Sequence, residues 1–183
     1  MTLLILGLIL WVIPHSFKLI APGMAKSIPE GPRKGAVALL TLVSLVLMVV
    51  GYRAAPVTGG YVAPSWGVHV NNLLMLISVY LFAASGMKTA ITRVVRHPQY
   101  TAVILWAIAH LLVHGDIASI LLFGVLLVWA VVGIILSNAQ MQWTKPTGPV
   151  NMGKEIGAVI GTLVVVAAIG YVHILLGYRP FGG

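Results

Sequence analysis

The chain has 183 residues, 60% of them hydrophobic and only 8% charged, with a mean hydropathy of +1.04. A soluble domain has too little polar surface to wet that much apolar material, so the composition specifies an integral membrane protein and excludes a water-dissolved enzyme. The net charge of +8 does not point to nucleic acid, because the basic residues form no stripe interleaved with aromatics. With no cysteine, disulfides, thiolate ligands, cysteine nucleophiles and iron–sulfur clusters are excluded.

In chain order, six apolar segments approach the roughly 20 residues needed to cross a hydrocarbon core of about 30 Å. They fall at about 2–21, 35–53, 66–86, 97–115, 117–137 and 156–178. The first starts without a basic leader and no small-residue cleavage pattern follows it, so it reads as a retained helix. Linkers are short and rich in Pro and Gly, as in Pro29-Glu30-Gly31-Pro32 and Lys145-Pro146-Thr147-Gly148-Pro149. The expectation is an all-α, polytopic membrane helix bundle of about six transmembrane helices, with residues 1–183 forming one integral membrane domain.

Lys and Arg set the orientation. Lys18, Lys26, Arg33, Lys34, Lys88, Arg93, Arg96, Lys145 and Lys154 fall in loops on one side, whereas only Arg53 and Arg179 fall on the other. The positive-inside rule places the three basic loops in the cytoplasm and both termini outside.

Six histidines sit in or at the edges of these segments. A polar group in hydrocarbon costs several kcal/mol without a partner, so each intramembrane imidazole is either interhelical glue or a working group. Convergence favours the second. At 3.6 residues per turn, Arg96, Gln99, Val103, Trp106, Ala107, His110 and His114 share one side of the fourth segment, which is predicted to face inward. His110 lies about 18 Å along that helix from Pro98, well inside the bilayer. Neutral imidazole is a good axial ligand for haem iron, and His110 is the first candidate. His15 follows Pro14, whose missing donor is a way of redirecting a membrane helix and aiming a ligand inward. His69 opens the third segment; His173 lies near the outer end of the sixth; His97 sits at the cytoplasmic mouth. Two axial ligands of one iron must approach within about 4 Å, taking each metal–imidazole bond as about 2 Å. By depth, His69 and His110 meet this more easily than His15 and His110.

Three stretches resemble the NnrU family: Trp11…Pro14-His15-Ser16; Gly51-Tyr52-Arg53-Ala54-Ala55-Pro56; and Arg96-His97-Pro98 through Leu105-Trp106-Ala107-Ile108-Ala109-His110 to Gly115-Asp116-Ile117-Ala118-Ser119 and Leu122-Phe123-Gly124. The likeness runs over nearly the whole chain. It implies a multi-pass protein of the bacterial inner membrane associated with denitrification. That family is similar to zeta-carotene isomerase, a membrane enzyme whose haem b supports a redox-dependent cis-to-trans isomerisation. The resemblance implies haem b on His15 and His110, with Trp106 and His97 nearby, and a hydrophobic isoprenoid substrate or a respiratory membrane complex as partner. The relative carries a Cys three residues before the second ligand; here that residue is Ala107, which rules thiolate ligation out.

Two other readings compete. Arg-His-Pro-x-Tyr before a membrane helix also resembles isoprenylcysteine-type methyltransferases that bind S-adenosylmethionine, but Ser137–Lys145 contains no acid to act as a general base. A non-catalytic accessory protein for nitrite or nitric oxide respiration is the other. With only Glu30, Asp116 and Glu155 in the chain, hydrolysis and carboxylate-lined proton transport are poorly supplied.

Overall fold

Within hydrocarbon, backbone donors find no water, so an apolar chain must satisfy them inside each segment and does so as helix. The computed structural model describes residues 1–181, and among them there is helix and no strand. The elements are α1 (Thr2–Ile20), α2 (Pro22–Ser27), α3 (Glu30–Arg53), α4 (Gly67–Met87), a 3-10 turn (Ala90–Arg93), α5 (Pro98–Leu111), α6 (Ile117–Gln140) and α7 (Met152–Leu175). The expected polytopic helical architecture is therefore present. Five helices, α1, α3, α4, α6 and α7, are long and apolar enough to cross a membrane.

The fourth expected segment is the one that differs. Predicted over 97–115, it is helical only over the 14 residues of α5, about 21 Å, which is short of a full crossing. Local chemistry trims both ends. Pro98 has no N–H to give and occupies the first helical turn, so His97 becomes the N-cap. At the other end the chain tightens, with His114 N donating to His110 O at 2.8 Å, to enter the Gly115 corner. The apolar run continued past the helix because a turn in lipid-facing protein need not be polar. Pro14 does not end α1, which continues to Ile20, and α3 begins five residues earlier than expected.

Contacts group into two units interleaved along the chain, Met1–Tyr61 with Gly115–Met141, and Val62–His114 with residues 142–181. In the first, α1 and α3 pack antiparallel with glycines at the seam. A Cβ at Gly7 would stand 2.8 Å from Met48 N and 2.9 Å from Ser44 O, and one at Gly51 would land on the Leu4 backbone. Such small residues let backbones approach closely where no hydrophobic drive between helices exists. α6 runs alongside: Trp129 Nε1 donates to Ser16 Oγ at 3.0 Å, and Gln140 Nε2 donates to Leu19 O at 2.8 Å. Its N-terminus is capped by Asp116, whose Oδ1 accepts Ser119 N at 3.0 Å.

In the second unit α4 packs antiparallel to both α5 and α7. Gly67, at the start of α4, lies against the Leu112 carbonyl at the end of α5. Further along, buried Ser78 donates its hydroxyl to Ala102 O at 2.8 Å, and Ala84, Ala102, Ala107 and Ala109 are buried. Asn72 Nδ2 donates to Phe181 O at 3.3 Å at one end of the α4–α7 pair. At the other, Ala90 N donates to Glu155 Oε1 at 2.7 Å, tying the 3-10 turn to α7.

Candidate functional site

Each unit presents one histidine backed by tryptophan, with the same four-residue spacing. In the first unit His15 Nδ1 lies 2.7 Å from Trp11 O. A carbonyl only accepts, so Nδ1 carries the proton and the neutral ring keeps Nε2 as its basic nitrogen. The His15 ring stacks on Trp11 with centroids 4.3 Å apart and 20° between planes. Trp129 closes a third side edge-on, 5.9 Å from the His15 centroid. Nε2 lies 3.4 Å from Thr41 Oγ1, a long contact, and the Thr41 hydroxyl already donates to Val37 O at 2.7 Å. Beside the ring, Trp11 Nε1 is buried with no acceptor among the described residues. A buried donor left this way costs about 1–3 kcal/mol and marks a place where an acceptor is wanted.

In the second unit, His110 Nδ1 lies 2.8 Å from Trp106 O, which fixes the same tautomer. Trp106 sits 4.9 Å away, tilted by 51°, and the His114 ring stacks at 6.3 Å from that of His110. His173 repeats the local device on α7, Nδ1 to Ile169 O at 2.8 Å, beside Tyr178. His110, His114, His69 and His173 all occupy the end of this unit where α4 begins and α5 and α7 finish.

The other sequence candidates are distributed less favourably. His69, preferred on depth, is exposed in the first turn of α4, and no side-chain hydrogen bond described there orients it. Gln99, expected on the inward stripe, is exposed, whereas Ala102 and Ala109 are buried; the α5 interior is set by small residues that let α4 approach, a packing choice that polarity alone does not reveal. His97 caps the opposite end of α5, with its carbonyl accepting Thr101 N at 2.9 Å and its ring edge-on to Tyr100 at 6.2 Å. It belongs to a small cavity of about 210 Å³ with Ser85, Arg96 and Gln99, and shares no site with His110.

Sequence reasoning missed a part-buried hydrogen-bonded chain where α3 ends and α6 begins. Tyr52 OH and Ser119 Oγ are 2.8 Å apart, and Ser119 Oγ donates to Asp116 Oδ2 at 2.5 Å. Desolvation first, and the Asp116 charge second, hold the nearby Tyr61 phenol above its ordinary pKa. The spacing Asp-x-x-Ser at a helix start was a legible cap signal; the reach of Tyr52 was not. All three acids of the chain are thus in structural service, with Glu30 on Lys34 at 2.8 Å, Asp116 on Ser119 and Glu155 on Ala90 N. Gln142 and Trp143, the residues nearest a methyltransferase-like position, lie in an irregular segment after α6, with Trp143 40% exposed.

Among the described residues no group of three or more His, Asp or Glu is placed to hold a metal ion. The donor set is instead separate imidazoles, of which His15, His110 and His173 are oriented from behind through Nδ1. That suits a metal arriving inside a macrocycle that supplies its own in-plane ligands, and does not suit a bare ion. Among protein-family models, the one described as NnrU protein matches residues 3–180. No curated protein and no solved structure gives a match.

Proposed function

The chain belongs to the NnrU family, and from that premise we propose that it is a haem b-binding protein of the bacterial inner membrane with a redox-linked role. One observation carries the reading: His15 and His110 each give their Nδ1 proton to the carbonyl four residues back. Metal-bound histidines characteristically donate the other ring N–H in this way, which fixes the tautomer and raises the basicity of the ligating nitrogen. His110, in the second unit, would hold the iron; the family resemblance gives the same role to His15 of the first unit, with the exposed His69 as its alternative. When bound, haem would supply one-electron chemistry that no side chain here offers.

The remaining residues do ordinary physical work. Trp11 and Trp129 hold the His15 ring against apolar faces and restrict its rotation. Trp106 does the same for His110 from one side. The orphan Trp11 Nε1–H offers a hydrogen bond to an acceptor on whatever sits beside His15. Because each carboxylate is already engaged, the chain is not equipped for acid–base hydrolysis, and holding a redox group fits better. Resemblance to zeta-carotene isomerase makes cis–trans isomerisation of a hydrophobic isoprenoid the leading activity. The engaged carboxylates fit a second reading equally well, a membrane accessory protein for nitrite or nitric oxide respiration that holds haem without turnover.

The test is an absorption spectrum of the detergent-purified protein. A Soret band that shifts on reduction and responds to nitric oxide supports the reading, and a colourless protein that gains no band on titration with haemin overturns it. Conversion of a poly-cis polyene by the reduced protein then selects the isomerase. Unchanged polyene, with denitrification lost on deletion, selects the accessory role.

A further inference from the structure

We propose that the cavity between the C-terminal end of α1 and the N-terminal end of α3 binds the phosphate headgroup of an anionic membrane lipid. His15 and Pro14 also line this cavity, so the lipid site shares a wall with a residue proposed to hold haem, and the experiment below separates the two uses. The cavity measures about 310 Å³. Lys18 comes to it from the last turn of α1, and Arg33 and Lys34 from the first turn of α3, while Phe17 and Val37 supply apolar wall. Three cations around an apolar floor at the end of two spans match a phosphate carried on a hydrocarbon tail. The positive-inside rule puts this end at the cytoplasmic leaflet, where anionic headgroups lie.

Two further observations point to an anion. The Arg33 guanidinium donates one Nη to Ala25 O and Ile28 O, which pins α2 below the cavity, yet its Nε is buried with no acceptor among the described residues. A phosphate oxygen is the acceptor that a guanidinium fork best fits. The N-terminal turn of α3, which carries Arg33 of the cavity wall, adds the positive end of its helix dipole. The one local acid, Glu30, pairs with Lys34 on the exposed side, with both side chains about two-thirds exposed, and screens the site weakly. Above the cavity, Ile13, Leu39 and Leu42 are 60%, 63% and 61% exposed, an apolar track for acyl chains along α1 and α3.

The experiment titrates the full chain in phosphatidylcholine nanodiscs with dioctanoyl phosphatidic acid, dioctanoyl phosphatidylcholine and inorganic phosphate. Phosphatidic acid should bind, and phosphatidylcholine at least tenfold more weakly. Lys18→Gln and Lys34→Gln should each weaken phosphatidic acid about fivefold, the scale of one basic residue at a membrane surface. Arg33→Gln should weaken it further; Lys18→Gln carries the argument alone if loss of the α2 tether prevents folding. Lys154→Gln, a basic residue of the other unit, should leave binding unchanged. Equal weakening by Lys154→Gln would mean diffuse surface charge and overturn the proposal. Inorganic phosphate binding as tightly as phosphatidic acid would make this a free-phosphate site and overturn the lipid assignment. Haem content falling in Lys18→Gln with phosphatidic acid binding intact would give the cations to porphyrin carboxylates, which also overturns it.

Discussion

Gly51→Ala tests the seam that positions His15. The added Cβ would meet Leu3 C and Leu4 Cα at 2.8 Å and the Leu4 nitrogen closer still, all backbone atoms that cannot swing aside. Relief requires α1 and α3 to separate by about 1 Å, forfeiting contacts along a buried interface; overpacking of this kind costs about 1–3 kcal/mol. Against this, replacing glycine in a helix returns about 1 kcal/mol of propensity. Because the clash is with backbone, the upper part of that cost applies, about 2–3 kcal/mol, and the net expectation is a loss of about 1–2 kcal/mol. Gly161→Ala is the internal control, because a Cβ added there would find nothing within 4 Å. It collects the propensity gain without the clash and should be neutral or stabilising. Thermal unfolding in one detergent should therefore place Gly51→Ala about 2–8 °C below wild type, at about 2–4 °C per kcal/mol for a chain of this size, and Gly161→Ala at or above it. If Gly51→Ala melted with or above Gly161→Ala, close packing of α1 on α3 would be refuted.

The site makes its own predictions. His110→Ala should abolish bound haem in the visible spectrum while His97→Ala, at the far end of α5, leaves the spectrum intact. His15→Ala compared with His69→Ala identifies the second ligand, and the larger loss of haem is expected for His15→Ala. Ser119→Ala removes the acceptor that faces Tyr52 and the donor to Asp116 but keeps the backbone cap. It should cost about 1–3 kcal/mol by chemical denaturation. Glu155→Gln weakens the bond to Ala90 N, and limited proteolysis should then cut within 88–96 sooner than in wild type.

The apolar runs alone determined that the chain is helical and membrane-spanning, because lipid leaves a backbone no other way to pair its N–H groups. The basic residues determined its expected sidedness for an equally local reason. The short α5 was less legible: Pro98 marked its start, but hydropathy runs past Leu111 through a turn whose backbone bonds, not its side-chain polarity, end the helix. His15 and His110 were recognisable as types of residue, and the i−4 spacing to a tryptophan stood in the sequence at both. What only the tertiary structure decided is which side chains surround them. Trp129 meets His15 from a helix more than 100 residues away, Tyr52 reaches Ser119 from another, and Arg33 is left with a buried nitrogen unpaired among the described residues. Helix periodicity fixes the direction of a side chain only relative to its own axis. The partner across a seam depends on how closely two backbones approach, and here glycines at Gly7 and Gly51 set that distance.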